Sequence, residues 1–159
     1  VHLVEIRLRP AVRAVVLDPD DRLLLVHLDW PGWDGWVLPG GGIDPGEDPF
    51  DALRRELLEE AGLTPVEIGP LLWHREVRFP MGAWDGQREQ VHLVRTPAFD
   101  PAPAMTAAEL AAEHVAGLRW WTLEELSAAT VVVAPRNLIG LVAQLLRDGP
   151  PPVPHLIGP

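Results

Sequence analysis

Residues 41–63 read GGIDPGEDPFDALRRELLEEAGL. From Pro49 to Ala61 the apolar residues recur with helical period. Asp48 stands as the N-cap, Pro49 at the first helical position, acids in the first turn and Gly62 as the C-terminal stop. At about 100° per residue, Phe50, Leu53, Leu57 and Ala61 form one stripe, the predicted core face. Glu56, Glu59 and Glu60 stand at i, i+3 and i+4 and form an adjacent patch with no base interleaved. Like charges at that spacing cost about 0.2–0.5 kcal/mol per pair on an exposed helix, and more when buried. A solvated acidic face is one reading of this pattern. A site for a hard divalent cation, which takes oxygen ligands, is the other.

Outward from this helix the chain alternates between strand and helix signals. On the N-terminal side, the run from Val1 to Arg9 alternates like a strand, and Ala11–Leu17 is more uniformly apolar. Asp18–Asp21 is turn chemistry before a further strand, Arg22–Leu28, which predicts a hairpin. Trp30–Gly35 reads as an aromatic loop leading into Trp36–Leu38, which Pro39–Gly42 ends. On the C-terminal side, Leu71–Phe79 and Gln90–Thr96 read as strands separated by a polar loop, Pro80–Arg88. A Pro-rich loop (Asp100–Met105), a helical turn (Thr106–Glu113) and a short strand (Leu118–Trp121) follow. The next segment is a helix from a Thr-x-x-Glu capping box (Thr122–Ala129), and the last helix is Arg136–Arg147. Residues 150–159 contain five prolines and are expected to be a surface arm or disordered. The whole reads as a mixed sheet packed by helices in a single α/β domain over residues 1–149.

Composition narrows the chemistry. A chain of 159 residues with 47% hydrophobic content is the size of one domain. It has no Cys, Tyr or Lys; all 13 basic residues are Arg, and Ser127 is the only serine. Thiolate zinc sites, thiol nucleophiles, Schiff-base lysines and a P-loop lysine are excluded, and Ser127 lacks a nucleophile-elbow context. A net charge of −10 argues against nucleic acid as a partner and allows a cation site. No apolar run reaches the roughly 18–20 residues of a membrane span, and no signal-peptide pattern is present, so a cytoplasmic protein without membrane partners is expected.

Gly41, five residues, Glu47, seven residues, then Arg55-Glu56-Leu57-Leu58-Glu59-Glu60-Ala61-Gly62-Leu63 fulfil every defined position of G-x5-E-x7-R-E-U-x-E-E-x-G-U, U being aliphatic. This segment resembles the Nudix box. The lead-in Trp36-x-Leu38-Pro39-Gly40-Gly41 and the late segment Leu118–Leu126 also resemble that hydrolase family. The resemblance implies an α/β/α sandwich with a mixed sheet and water attack on a nucleoside diphosphate linked to another group. Glu56, Glu59 and Glu60 would hold Mg²⁺ or Mn²⁺ with a backbone carbonyl of Gly40 or Gly41. Glu47 and Arg55 would form the ion pair that orients Glu56. Metals on phosphate oxygens need no protein nucleophile, in keeping with the composition.

A further carboxylate outside the box is implied; Glu113 ranks before Glu109 and Glu89. Trp33 and Trp84, with Trp30 and Phe79, are candidates for stacking a base. Arg75, Arg78 and Arg88 flank the polar loop and are candidates for gripping phosphate. The six histidines show no metal-binding spacing and read as core-edge or surface residues. The expected substrate is a small nucleotide: a nucleotide sugar, ADP-ribose or a nucleoside triphosphate. A Tyr typical of diadenosine-polyphosphate hydrolases is missing, Pro80 is a weak ADP-ribose signal, and Val26–Asp29 lacks the arginine many relatives carry there. A homodimer follows only from family habit. A non-catalytic nucleotide sensor of the same fold would have eroded box carboxylates, and none is eroded; an isopentenyl-diphosphate-type isomerase would need a cysteine.

Overall fold

Thirteen elements make up the chain in a computed structural model that describes residues 3–64 and 67–159. Val1, where the first alternating run begins, and His2, one of the six histidines, lie outside the described residues. The elements are β1 (Leu8–Leu17), β2 (Leu23–Trp30), β3 (Trp33–Val37), β4 (Gly40–Gly42), α1 (Pro49–Ala61), β5 (Leu71–Met81), β6 (Trp84–Arg95), α2 (Ala107–Ala112), β7 (Val115–Trp121), α3 (Leu123–Ala128), β8 (Val133–Ala134), α4 (Leu138–Asp148) and β9 (His155–Ile157). One mixed sheet runs β8-β3-β2-β1-β6-β5-β9, with β4 paired to β1 and β7 to β2. β1 and β6 are parallel over ten residue pairs, whereas β5 and β6 form an antiparallel hairpin.

Side chains alternate across a strand, so β1 feeds two cores. Val12, Ala14 and Val16 pack with Leu53, Leu57 and Ala61 of α1. Val15 and Leu17 pack on the opposite side with Leu126 of α3 and Leu138, Val142 and Leu145 of α4. The architecture is therefore α/β/α, as expected. None of the helices is long and apolar enough to cross a membrane among the described residues.

Several expectations change. Among the described residues the N-terminal run forms no strand of its own: pairing starts at Leu8 and continues through Pro10, while residues 3–7 stay exposed, held by reciprocal bonds between Arg7 and Asp85. The loop expected at Pro80–Arg88 is a hairpin, with β5 reaching Met81, β6 starting at Trp84 and Gly82 at φ 60° in the turn. Ladder bonds come from the backbone, so polar side chains there did not exclude strand. For the same reason Trp33–Gly35 is paired with β2, and only Pro31–Gly32 remains as turn. Residues 155–157, inside the stretch expected to be an arm or disordered, lie parallel to β5 and bury Ile157. The last helix starts two residues later than expected, after Asn137. On α1 the buried positions are Ala52, Leu53, Glu56, Leu57, Glu60 and Ala61, while Phe50 is 43% exposed. The buried face is thus rotated toward two of the three glutamates, and Phe50 sits edge-on to His92 instead.

Candidate active site

The helix that carries the carboxylates is fixed at both ends. Asp48 Oδ1 accepts the Phe50 N–H at 2.8 Å, and Gly62 takes φ 71°, where a Cβ would collide with the Ala102 carbonyl. The Pro-rich segment then satisfies the helix's last carbonyls: Ala102, Ala104 and Met105 donate their N–H groups to Ala61, Leu58 and Glu59. This segment leads into α2 and so sets where Glu113 falls.

Arg55 organises the patch. Its Nε and Nη2 each donate to a different oxygen of Glu47 at 3.0 Å, and Nη2 also reaches the Gly42 carbonyl at 3.1 Å. Nη1 holds Glu56 Oε1 at 2.9 Å, with Glu59 Oε2 further off at 3.5 Å. Glu47 and Arg55 are paired, and the same guanidinium bonds Glu56. Glu60 is held differently: its Oε1 accepts the Gly40 N–H at 2.8 Å. At Gly41 a Cβ would lie 2.6 Å from the Glu56 carboxylate, so only glycine lets the backbone come this close.

Burial sets the electrostatics. Glu60 is 5% exposed, and desolvation pushes its carboxyl up to about 8 against the pull of the Gly40 N–H, with Glu56 and Glu113 adding to the rise. Glu56 is raised by burial too, although Arg55 opposes the shift. Half-buried Glu47 is lowered by the Arg55 hydrogen bonds. Among the described residues no three acidic or histidine side chains close round a common point. Glu56 turns to Arg55 and Glu60 to Gly40. A divalent cation nonetheless fits this donor set: hard oxygen ligands, two of them desolvated carboxyls with raised proton affinity, beside glycines that admit a backbone carbonyl.

Glu113, exposed at the end of α2, lies near enough for its charge to add in a small way to the rise of Glu56 and Glu60. It caps the C-terminus of α2 immediately before His114, which is held at φ 60°, a conformation costly for a residue with a Cβ. The His114 ring stacks on Trp30 at 3.9 Å, and its carbonyl accepts the Asp29 N–H at 2.9 Å. Glu109, by contrast, closes the capping box of α2 with Thr106. Glu89 is no surface acid beside a loop but sits in β6 at 1% exposure, between Arg13, Arg75 and Gln87.

The three arginines expected to act together are separated. Arg75 shares a face with Glu89, whereas Arg78 and Arg88 alternate to the other face, where both pair with Glu76. Trp33 and Trp84 do not converge either. Trp33 lies over Gly35 in β3, and Trp84 sits at the β5–β6 turn under the Arg7 guanidinium. Of the histidines, His27 bonds Asp34 and stacks on Trp36, and buried His92 bonds the Gly69 carbonyl while desolvation lowers its proton affinity. Sequence reasoning missed Arg9 and Arg13. Their signal was a charge on the strand that otherwise feeds the core.

Comparison with known proteins gives a consistent family. A family model described as NUDIX domain matches residues 7–141. An RNA pyrophosphohydrolase of Helicobacter pylori is 38% identical over 100 residues, which cover 55% of this chain and 63% of that protein. Nudix hydrolase 25 of Arabidopsis thaliana is 34% identical over 100 residues, covering 55% of this chain and 56% of that protein. The matched region thus spans less than two thirds of either relative. Among solved structures, the NUDIX domain of Shewanella oneidensis NrtR, complexed with ADP ribose, superposes with a TM-score of 0.68 at 20% identity over 90% of both chains.

Proposed function

The chain belongs to the NUDIX domain family, and we propose that it is a divalent-metal-dependent pyrophosphohydrolase acting on a nucleoside diphosphate linked to another group. The observation that carries this reading is the pair of desolvated carboxylates, Glu56 and Glu60, packed against the glycines of β4 and braced by the Glu47–Arg55 pair. Two buried anions with raised proton affinity are costly unless a cation repays them. Glu56, Glu59 and Glu60 would hold Mg²⁺ or Mn²⁺, together with the carbonyl of Gly40 or Gly41. When bound, the metal neutralises phosphate oxygens and lowers the pKa of water, so that a protein nucleophile is unnecessary.

The chain's own residues then have distinct tasks. Arg55 keeps Glu56 aimed and opposes the rise in proton affinity that burial imposes on it. Gly40 N–H anchors Glu60. Glu113, the carboxylate outside the box whose charge reaches both, accepts the proton of the attacking water on a carboxylate oxygen. Arg75 is the member of the expected arginine group that faces the same side as the buried polar cluster. Arg78, Arg88, Trp33 and Trp84 do not converge with it.

The names of the relatives and fold neighbours, an RNA pyrophosphohydrolase, an ADP-ribose complex and a UDP-X diphosphatase, share a phosphoanhydride and support that substrate class. The test is product release from a panel of nucleotide sugars, ADP-ribose and nucleoside triphosphates with Mg²⁺, Mn²⁺ or chelator. Metal-dependent cleavage of one class is expected. Tight nucleotide binding without any cleavage would replace the hydrolase reading by that of a binding domain.

A further inference from the structure

The strand register places a second charged cluster on the face of the sheet opposite α1. In the β1–β6 ladder Arg9 stands opposite Gln87, Ala11 opposite Glu89 and Arg13 opposite Val91; in the β5–β6 ladder Arg75 stands opposite Glu89 and Trp73 opposite Val91. Val15, Leu17, Val91 and Trp73 all belong to the core under α3 and α4. By alternation, Arg9, Arg13, Gln87, Glu89 and Arg75 continue that face beyond the helices' cover. They form a polar floor, with a cavity of about 40 Å³ lined by Arg13, Leu38, Arg75, Glu89 and Pro135 among others. At 10–15 Å³ per water, that is room for roughly three waters.

The floor is short of negative charge. Glu89 accepts Arg75 Nη1 at 2.6 Å on one oxygen, and Arg13 Nε and Gln87 Nε2 on the other. Arg13 Nη1 goes to the Leu38 carbonyl and Arg75 Nε to the Gly158 carbonyl. The Nη2 groups of both arginines have no acceptor among the described residues, and Arg9 has neither a hydrogen-bond nor an ion-pair partner among them. Its guanidinium lies against Gly42, where a Cβ would collide with it. Two guanidiniums therefore share one carboxylate and a third, Arg9, stands on the same face of the sheet with no acidic partner among the described residues, in a chain whose net charge is −10. Arg13 packs against Gly40, where a Cβ would lie 2.9 Å from its side chain, and the Gly40 N–H holds Glu60, so the floor adjoins the proposed metal carboxylates. Against Glu89 alone, the guanidiniums of Arg9, Arg13 and Arg75 leave an excess of two positive charges with no metal required.

We propose that Arg9, Arg13 and Arg75, with Glu89 as the tether that holds two of them, form a subsite for a terminal phosphoryl group, so that the preferred substrate ends in phosphate and not in a sugar. This deepens the hydrolase reading and rests on it for the scissile bond. A terminal phosphoryl group carries a charge near −2 at neutral pH and three acceptor oxygens. Guanidinium forks match that geometry, and a neutral sugar offers nothing to repay their desolvation.

Calorimetric titration of inorganic pyrophosphate in excess chelator, with ADP-ribose as comparison, tests the subsite without turnover. Binding of pyrophosphate in preference to ADP-ribose is expected, weakened about tenfold by Arg75→Gln and by Arg9→Gln. Arg9→Gln keeps the test sound if Arg75→Gln fails to fold, since Arg9 makes no polar bond among the described residues. Absence of pyrophosphate binding, equal binding of ADP-ribose, or unchanged affinity in Arg9→Gln would overturn the proposal. A protein that binds pyrophosphate as stated but cleaves no nucleotide with metal would fail the hydrolase reading and keep the subsite.

Discussion

Glu60 on α1 and Glu89 on β6 are withdrawn from water to nearly the same extent, 5% and 1% exposed, yet their proton affinities move in opposite directions. Burial raises Glu60 to about 8, because a backbone N–H is its one direct donor and its charged neighbours are mostly acids. Burial also pushes Glu89 upward, but Arg13 and Arg75 bond to it and bring the net shift below the usual carboxylate range. Depth in the fold sets the size of the stakes, and the bonded partner sets the sign. One carboxylate is left wanting a cation, and the other is supplied with two.

The largest test of this contrast removes the unsatisfied partner. Glu60→Gln should cut metal-dependent turnover by about 10³-fold or more while the far-ultraviolet circular dichroism is retained; rates within tenfold of wild type would break the assignment. Next, Glu89→Gln should lower the unfolding free energy by about 3 kcal/mol, read from denaturant midpoints, because two buried guanidiniums lose their counter-ion. A third measurement separates the two by pH in metal-free buffer. The unfolded-state carboxylate titrates near 4.5, so ionising Glu60 in the fold costs stability progressively from about pH 4.5 to 8. Glu89 contributes fully above about pH 4.5 and loses its contribution as pH falls through its lower folded value. Glu60→Gln should therefore flatten the alkaline decline, and Glu89→Gln the acid one; parallel curves would refute the opposition.

The smallest effect concerns His114. His114→Ala should cost about 1 kcal/mol in thermal unfolding through the lost Trp30 stack. His114→Gly should come out close to wild type, because relief of the φ 60° conformation offsets that loss.

The contrast also explains what was legible in the chain. Glu56, Glu59, Glu60, Arg55 and Glu47 lie within 14 consecutive residues of one helix and its lead-in, so helical spacing alone brings them together. The caps of α1, Asp48 and Gly62, were equally local and appear where the sequence puts them. The arginine floor is written across β1, β5 and β6, with partners 14 and 76 residues apart, and nothing in the spacing reveals a ladder register. The same limit hid the β5–β6 hairpin, whose polar side chains look like a loop until the backbone pairing is known. Strand alternation then undid the grouping of Arg75 with Arg78 and Arg88. These three are close in sequence, yet they lie on two faces of the sheet.

The three-residue strand β9 has a bearing on solubility. β5 would otherwise present a row of open N–H and C=O groups along Trp73–Arg75, a template on which another molecule's strand could add. His155–Ile157 occupies that row from within the chain, between Pro154 and Gly158, residues that discourage the strand from lengthening. The proline-rich end thus acts as a guard against intermolecular β-pairing, and its removal would show first as aggregation of a protein that can still fold.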